Sequence, residues 1–405
     1  MMLLYRIIIH SYFTLIHLVS PFSSKAKLWV AGRKDWRQHL KREIGQEDWI
    51  WVHCSSYGEF EDVATVVEGL RQELNDYKVL LTFFSPSGAE KWKNKNVADV
   101  VMYLPKDGPR NARIFLELVD PKFVVFSRSD LWPFFLKELE RREIPSALVG
   151  LLLNEQSSFF KWPQKTVYRH CFQTFSKIYC QTSTTRELLK LHFGYGDAMV
   201  IGNCRVDRIY AGALQEIPDL SEWTNDRKCV VVGSSETKED ELVSRCIREN
   251  WFPEVCWIVV PHEFKAKEHH KQYSNQKVVL YSKREKLTAE TNVLLVDCVG
   301  VLKQLYRFAD IAIIGGGFTG KGIHNVIEPA MYGVPTLIGP NDRDYPEAKM
   351  LQEKGFCQIF TDYASFLAAL TTTINSNINK EALIQLIEER RGATELGLLD
   401  IRKNF

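Results

Sequence analysis

Short apolar runs recur along the chain, separated by stretches whose apolar positions follow helical spacing. Trp49–His53, Lys78–Thr82, Val100–Leu104, Lys122–Phe126, Ser146–Val149, Ile178–Cys180 and Ala198–Ile201 read as buried strands. After the first of them, Val63, Val66, Val67, Leu70 and Leu74 fall on one helical face. A second series runs through Lys228–Val232, Cys256–Val260, Val278–Leu280, Val293–Val296, Ile311–Ile314 and Pro335–Ile338. Strands alternating with helices predict an α/β fold, parallel sheets with helices on both faces. Residues 209–226 carry Pro218, Asp219, Ser221, Thr224, Asn225 and Asp226 and have the least regular pattern, so they read as a linker. The expected plan is two Rossmann-like, doubly wound domains, 25–208 and 228–380. A linker over 209–227 joins them, and a C-terminal helix over 381–405 can cross back to the first domain. Ligands of such domains bind beyond the carboxyl ends of the strands, here expected in a cleft between the halves.

The N-terminus departs from this pattern. Met1 to Phe22 is apolar apart from Arg6, His10, His17 and a few hydroxyls. Lys25, Lys27, Arg33, Lys34, Arg37, Lys41 and Arg42 then follow against one acid, Asp35. An apolar helix over 1–24 with a basic segment behind it predicts an anchor on the anionic cytoplasmic leaflet of a membrane. A hydrophobic helix buried against a partner is the competing reading. A cleaved signal peptide does not fit, because the basic cluster follows the apolar region and no small-x-small site appears.

At 405 residues the chain is too long for one ordinary core. Apolar and charged fractions of 45% and 25% are those of a folded protein, and a net charge of +2 calls for no nucleic-acid-binding face. The nine cysteines are scattered without a CxxC or a zinc spacing, which predicts reduced thiols that pack as small hydrophobes.

The candidate chemistry lies where strands end. Gly315-Gly316-Gly317 follows the run ending at Ile314, with Gly320 and Gly322 close behind. Asn325-x-x-Glu328 is a helix-start pattern, with a stop at Tyr332-Gly333. Glycines with little use in a core let a phosphate or carboxylate approach bare main-chain N–H groups. Glu328 can take ribose hydroxyls or form a capping box, and His324 and Asn325 stand beside it. His53-Cys-Ser-Ser56-Tyr-Gly58-Glu59 puts a carboxylate at a helix start, with Gly58 permitting a tight turn. Glu59 is a candidate general base for an alcohol, or a simple cap of the helix. Ser85-Pro-Ser87-Gly88 suits hydrogen bonds to a sugar, or a plain turn. Arg128-Ser-Asp130 carries charges at a strand exit, with a salt bridge inside the loop as the alternative. Gly202-Asn-Cys-Arg205-Val-Asp207 offers a hinge or an anion contact. Gly233-Ser234-Ser235-Glu236 suits a phosphoryl oxygen or a cap, and Pro261-His262-Glu263 offers an imidazole. No Walker A or Gly-x-Ser-x-Gly sequence occurs, which argues against P-loop and α/β-hydrolase chemistry; no Gly-x-Gly-x-x-Gly stands near the chain start, so NAD binding is weakly supported, and no carboxylate cluster suggests a catalytic metal.

Taken in order, these motifs resemble the 3-deoxy-D-manno-octulosonate (Kdo) transferases of lipopolysaccharide synthesis, inverting glycosyltransferases of the GT-B fold. The resemblance covers nearly the whole chain, from Gly32-Arg33 through His53–Glu59, Ser85–Gly88, Asp130–Pro133, Gly202–Asp207, Gly233–Ser235 and Gly315–Pro329 to Gly339-Pro340. Glu155-Gln156 and Phe159-Phe-Lys-Trp162 look most like the Bacteroidetes-type version. The resemblance implies CMP-Kdo as donor, a lipid A precursor as acceptor, and work at the cytoplasmic face of the inner membrane. It places the base at Glu59. CMP would be held by Gly233, Ser234, Ser235, Pro261, His262, Gly315, Gly316, Gly317, Gly322, His324, Asn325 and Glu328, with Ser234 and the glycines near phosphate and Glu328 near ribose. Ser56, Gly58, Ser85, Ser87, Gly88, Arg128, Asp130 and Arg205 would line the acceptor side. No metal or other cofactor is expected. Three positions depart from the family pattern: Arg128 stands where many members have an acid, Arg205 where Lys is common, and Pro261-His-Glu where many have Arg-His-Pro. Two alternatives stay open, a GT-B transferase or epimerase using a UDP- or GDP-sugar, and a non-catalytic membrane scaffold.

Overall fold

The computed structural model describes residues 2–404 except 94, 214–215, 225–226, 274–275, 321 and 343–344. Asn225 and Asp226 of the predicted linker and Lys321 of the glycine loop therefore lie outside the described residues. The chain divides into two compact units, one of Met1–Arg208 with Arg390–Phe405, the other of Ile209–Glu389.

The first unit holds strands β1 (Asp48–Cys54), β2 (Tyr77–Phe83), β3 (Val100–Tyr103), β4 (Phe123–Ser127), β5 (Ser146–Leu151), β6 (Lys177–Cys180) and β7 (Ala198–Val200). All pair in parallel, in the order β3-β2-β1-β4-β5-β6-β7. The alternation within β1 explains the layers. Trp51 joins Leu80, Phe115, Phe126 and Phe135 on one face of the sheet. Ile50, Val52 and Cys54 join Phe60, Val63 and Val67 of the helix Tyr57–Glu73 on the other. The returning helix Ala393–Asn404 completes that second face with Leu398 and Ile401. A Cβ on Gly69 would stand 2.2 Å from Leu398, so glycine is what lets the two helices meet.

The N-terminal helix Met2–Val19 covers part of the first face. Phe13 is buried against Trp29, with Ile9 and Ile16 beside it. Tyr5 donates to Asp107 at 2.8 Å. The opposite side is bare, with Leu3, Ile7, Ile8, Leu15, Leu18 and Phe22 all exposed. By length and composition, with a mean hydropathy of 1.5, this helix is able to cross a membrane. One basic residue is not part of that surface. Arg33 is buried, its guanidinium stacked 3.9 Å from the Trp29 ring and donating to the carbonyls of Trp29, Phe84 and Leu104. It ties the N-terminal segment to the ends of β2 and β3; Lys25, Lys27, Lys34, Lys41 and Arg42 are exposed.

The second unit repeats the plan with β8 (Cys229–Ser235), β9 (Cys256–Pro261), β10 (Val278–Leu280), β11 (Val293–Leu295), β12 (Ile311–Ile314), β13 (Thr336–Ile338) and β14 (Cys357–Ile359). Their order is β10-β11-β9-β8-β12-β13-β14, again all parallel. The residues expected to be an irregular linker are partly helical. Cys204–Ala213 is one helix running past Arg208, and Ser221–Thr224 forms another turn. Eight of the nine cysteines are buried as free thiols, as small hydrophobes are.

Candidate active site

Strand order decides where a ligand can sit. In each sheet the chain reverses its direction of travel once, between β1 and β4 and between β8 and β12. Loops leaving two such strands diverge to opposite faces and open a crevice at their carboxyl ends. In the first unit these are the loops of Glu59 and of Arg128–Asp130. In the second they are the loops of Gly233–Glu236 and of Gly315–Gly317.

In the first unit, β1 turns through Ser55 and Ser56 into the helix Tyr57–Glu73, and Glu59 lies in its first turn. The Glu59 carboxylate accepts the Ser55 N–H at 2.7 Å, and its carbonyl accepts the Ser127 hydroxyl at 2.9 Å. The capping role is therefore real, yet the carboxyl is far from ordinary. Burial and then the charge of Asp130 push its pKa up to about 8, against the opposing pull of the Ser55 N–H and Arg128. Asp130 is held from behind. His53 is fully buried, its Nε2 2.8 Å from Asp130 Oδ2 and its Nδ1 2.9 Å from the Thr82 hydroxyl. Trp132 donates its indole N–H to the same Asp130 oxygen at 3.1 Å.

Arg128 makes an ion pair outside its own loop. It adopts a left-handed φ of 55° and reaches Asp62, at 2.9 Å, on the Glu59 helix. Arg205 approaches the same buried carboxylate at 3.9 Å. Two guanidinium groups thus share Asp62, with Glu59 one helical turn away. Sequence reasoning passed over Asp62 and His53. Their signal was two polar side chains, Asp62 and Glu61, on an otherwise apolar helix face, and a histidine closing an apolar strand.

Two glycines serve purposes other than those expected. Gly58 is helical and no turn requires it; a Cβ there would meet nothing within 4 Å, so its absence leaves open space beside Glu59. Gly88 is buried, and a Cβ there would strike the Phe83 ring at 2.2 Å, a matter of packing. Ser85 caps the helix Pro86–Trp92, accepting from the Ser87 N–H.

The glycine loop of the second unit is also tighter than expected. Gly315, Gly316 and Gly317 are buried. A Cβ on Gly315 would stand 2.0 Å from the Ser234 carbonyl, and one on Gly317 2.5 Å from Gly339. These glycines are needed in the interior because the protein's own loops approach one another. The expected helix after Asn325 shrinks to Ile327–Ala330, with the Asn325 side chain accepting from the Ile327 N–H and donating to Glu328. Gly233 lies against the Tyr306 hydroxyl, Ser234 adopts a φ of 52°, and Ser235 is buried with its carbonyl accepting the His262 N–H. His262, after Pro261, stacks on His324 with ring centres 4.6 Å apart. Gly322 has a φ of 81°. The predicted donor residues thus gather around the β8, β9 and β12 ends.

Residues 34–208 match the family described as 3-Deoxy-D-manno-octulosonic-acid transferase (kdotransferase). A 3-deoxy-D-manno-octulosonic acid transferase of Haemophilus influenzae is 26% identical, covering 88% of this chain and 87% of the relative. One from Aquifex aeolicus is 28% identical over 75% of this chain and 80% of its own length. Among solved structures, CalG4, the calicheamicin glycosyltransferase, aligns with a TM-score of 0.55 at 13% identity, covering 89% of this chain and 98% of that one, a likeness of fold alone. Two parallel sheets of seven strands, each with a crevice at its reversal, are the GT-B fold. The chain is thus similar to the 3-deoxy-D-manno-octulosonic acid (Kdo) transferases, over residues 34–208 by the family match and over most of its length by these relatives.

Proposed function

We propose that the protein transfers Kdo from CMP-Kdo to a lipid A precursor at the cytoplasmic face of the inner membrane, with Glu59 as the general base. The observation that carries this reading is a half-buried carboxyl at a sheet reversal whose pKa is raised to about 8. A carboxylate that basic, formed beside the open space at Gly58, suits removal of a proton from an acceptor hydroxyl near neutral pH. The hydroxyl oxygen attacks the anomeric carbon of Kdo as the bond to the CMP oxygen breaks, and the electron pair leaves on the phosphate. Attack opposite the leaving group inverts the centre. Arg128 and Arg205, which both approach Asp62, suit an anionic substrate group. In the second unit, the Gly233–Ser235 and Gly315–Gly317 loops, His262, His324 and Glu328 are the groups that would hold CMP. Transfer itself is assigned to these side chains without a metal.

The bare face of the N-terminal helix and the exposed lysines after it support membrane attachment, where a lipid acceptor is found. Mass spectrometry of a lipid A precursor incubated with CMP-Kdo and the protein is the direct test; the expected product is heavier by Kdo. A thermal-shift comparison of CMP, UDP and GDP separates donors. Preference for UDP would favour the nucleotide-sugar alternative.

A further inference from the structure

Glu236, His262 and His324 form a set whose composition nucleotide binding and capping do not require together, although Glu236 also caps the helix Thr237–Arg248 in a capping box with Glu239. They stand at the ends of three neighbouring strands, β8, β9 and β12. The His262 N–H donates to Ser235 and the His324 N–H to Gly315, each at 2.9 Å, so both imidazoles rise from main chain fixed at the sheet. Their rings stack at 4.6 Å. Glu236 Oε1 lies 3.9 Å from His324 Nε2, and one ligand atom from each of the three residues lies within 4.8 Å of the others.

The carboxylate is the telling member. Next to two imidazoles it repels a phosphate, and a pocket built for an anion alone gains nothing from it. A cation among the three reverses that sign and reconciles the carboxylate with a phosphate oxygen close by. Two imidazole nitrogens and one carboxylate oxygen are the donor set of Zn2+, Co2+ and Ni2+; Mg2+ and Ca2+ prefer oxygen alone. Metal–ligand bonds of about 2.0–2.2 Å place the donor atoms roughly 3.3 Å apart, which side-chain rotations of about 1 Å achieve here.

We propose that Glu236, His262 and His324 form a site for a divalent transition-metal ion of the Zn2+ class. Three protein ligands leave at least one coordination position for water or a phosphate oxygen. The site shares His262 and His324 with the proposed CMP site, and the ion takes no part in the proton transfer at Glu59.

The test is a titration of Co2+ into the untagged, detergent-solubilised full-length chain, followed by visible absorption. Cys298, the one exposed thiol of the nine, is replaced by serine throughout. Expected is a saturable ligand-field band with micromolar affinity, abolished by competing Zn2+. His262→Ala, His324→Ala and Glu236→Gln each weaken binding by about tenfold or more. His192→Ala, which removes an imidazole stacked on Phe160 in the first unit, leaves it unchanged. Glu236→Gln keeps an acceptor at the helix start and so guards against loss of fold, checked by near-UV circular dichroism. Absence of saturable binding up to about 1 mM, or binding that ignores all three substitutions, overturns the proposal. Stabilisation by CMP without metal binding removes this inference alone. Metal binding without any nucleotide stabilisation removes the CMP reading alone.

Discussion

A glutamate serves as a base near neutrality only when its surroundings penalise its charge, and the group that does so at Glu59 beyond burial is Asp130. His53, Thr82 and Trp132 keep that second carboxylate in place. The rate of transfer is accordingly expected to rise with pH through about 8, as Glu59 loses its proton. Asp130→Asn should move that limb of the kcat/KM profile downward by about half a unit or more; an unmoved limb would show that Asp130 does not act on the base. Glu59→Gln should lower turnover by on the order of 10³-fold while CMP still stabilises the protein. The same raised pKa has a consequence for stability. The unfolded carboxyl titrates near 4.5 and the folded one near 8, so the folded chain retains a proton that the unfolded chain gives up. The stability this supplies is complete below about pH 4.5 and lost as pH rises through about 8. Glu59→Gln, which cannot ionise, should therefore melt higher than the parent, with a gap that widens between about pH 5 and pH 8 and reaches about 2 °C or more. A gap that stays constant over that interval contradicts the raised pKa. From sequence, Glu59 was legible as base or cap; its carboxylate caps, accepting the Ser55 N–H, and the base is the role proposed for it. Asp62 was not legible, because its partners Arg128 and Arg205 stand more than sixty residues away and come together only through the sheet.

Elements were read most reliably where burial on both sides made their strands continuously apolar. β1, β8 and β12 carry little but Val, Ile, Trp and Cys, and the pattern found them within a residue or two, short of the three further residues that end β8. β14 was missed. It is a three-residue edge strand, Cys357–Ile359, whose outer residues are partly exposed and whose pattern offers no run to detect. The short helix after Asn325 was overextended, because a capping signal says where a helix begins and not how soon tertiary contacts end it. The triple glycine was legible as special, but its reason was not: the Cβ clashes are with Ser234, Gly322 and Gly339, residues remote in sequence or in a neighbouring turn. At this scale the C-terminal helix offers the clearest measurement. Ile401 and Leu398 fill the face of the first sheet, Tyr179 donates to Asp400 at 2.9 Å, and Asp207 accepts the N–H groups of Gly392 and Thr394. Ile401→Ala should cost about 2–4 kcal/mol in chemical denaturation of the first unit, with the midpoint of the second unit unchanged. Loss in the second unit instead would place the helix elsewhere.

For the whole molecule, two doubly wound units were legible from the alternation of elements alone, since thirteen of the fourteen strands stood out as apolar runs. The N-terminal helix was legible as apolar; what the sequence did not disclose is that it is half docked, with Phe13 and Tyr5 fastening it and Ile7, Ile8 and Leu15 left bare. Attachment to anionic vesicles should therefore depend on that bare face. Replacing Ile7, Ile8 and Leu15 together by serine is expected to release the protein from vesicles in flotation assays, while turnover of a detergent-dispersed acceptor stays within about twofold of the parent. Vesicle binding that survives the triple substitution assigns attachment to another surface.

The division of the chain also bears on how it is made. Residues 209–389 form a unit that interrupts the other one in sequence, since Arg390–Phe405 belongs with the first 208 residues. A ribosome therefore releases the opening half with one side of its sheet only partly covered, and the middle segment can finish folding while that side still waits for Leu398 and Ile401. The portion synthesised first is completed last, and loss of Arg390–Phe405 strikes the region that carries Glu59.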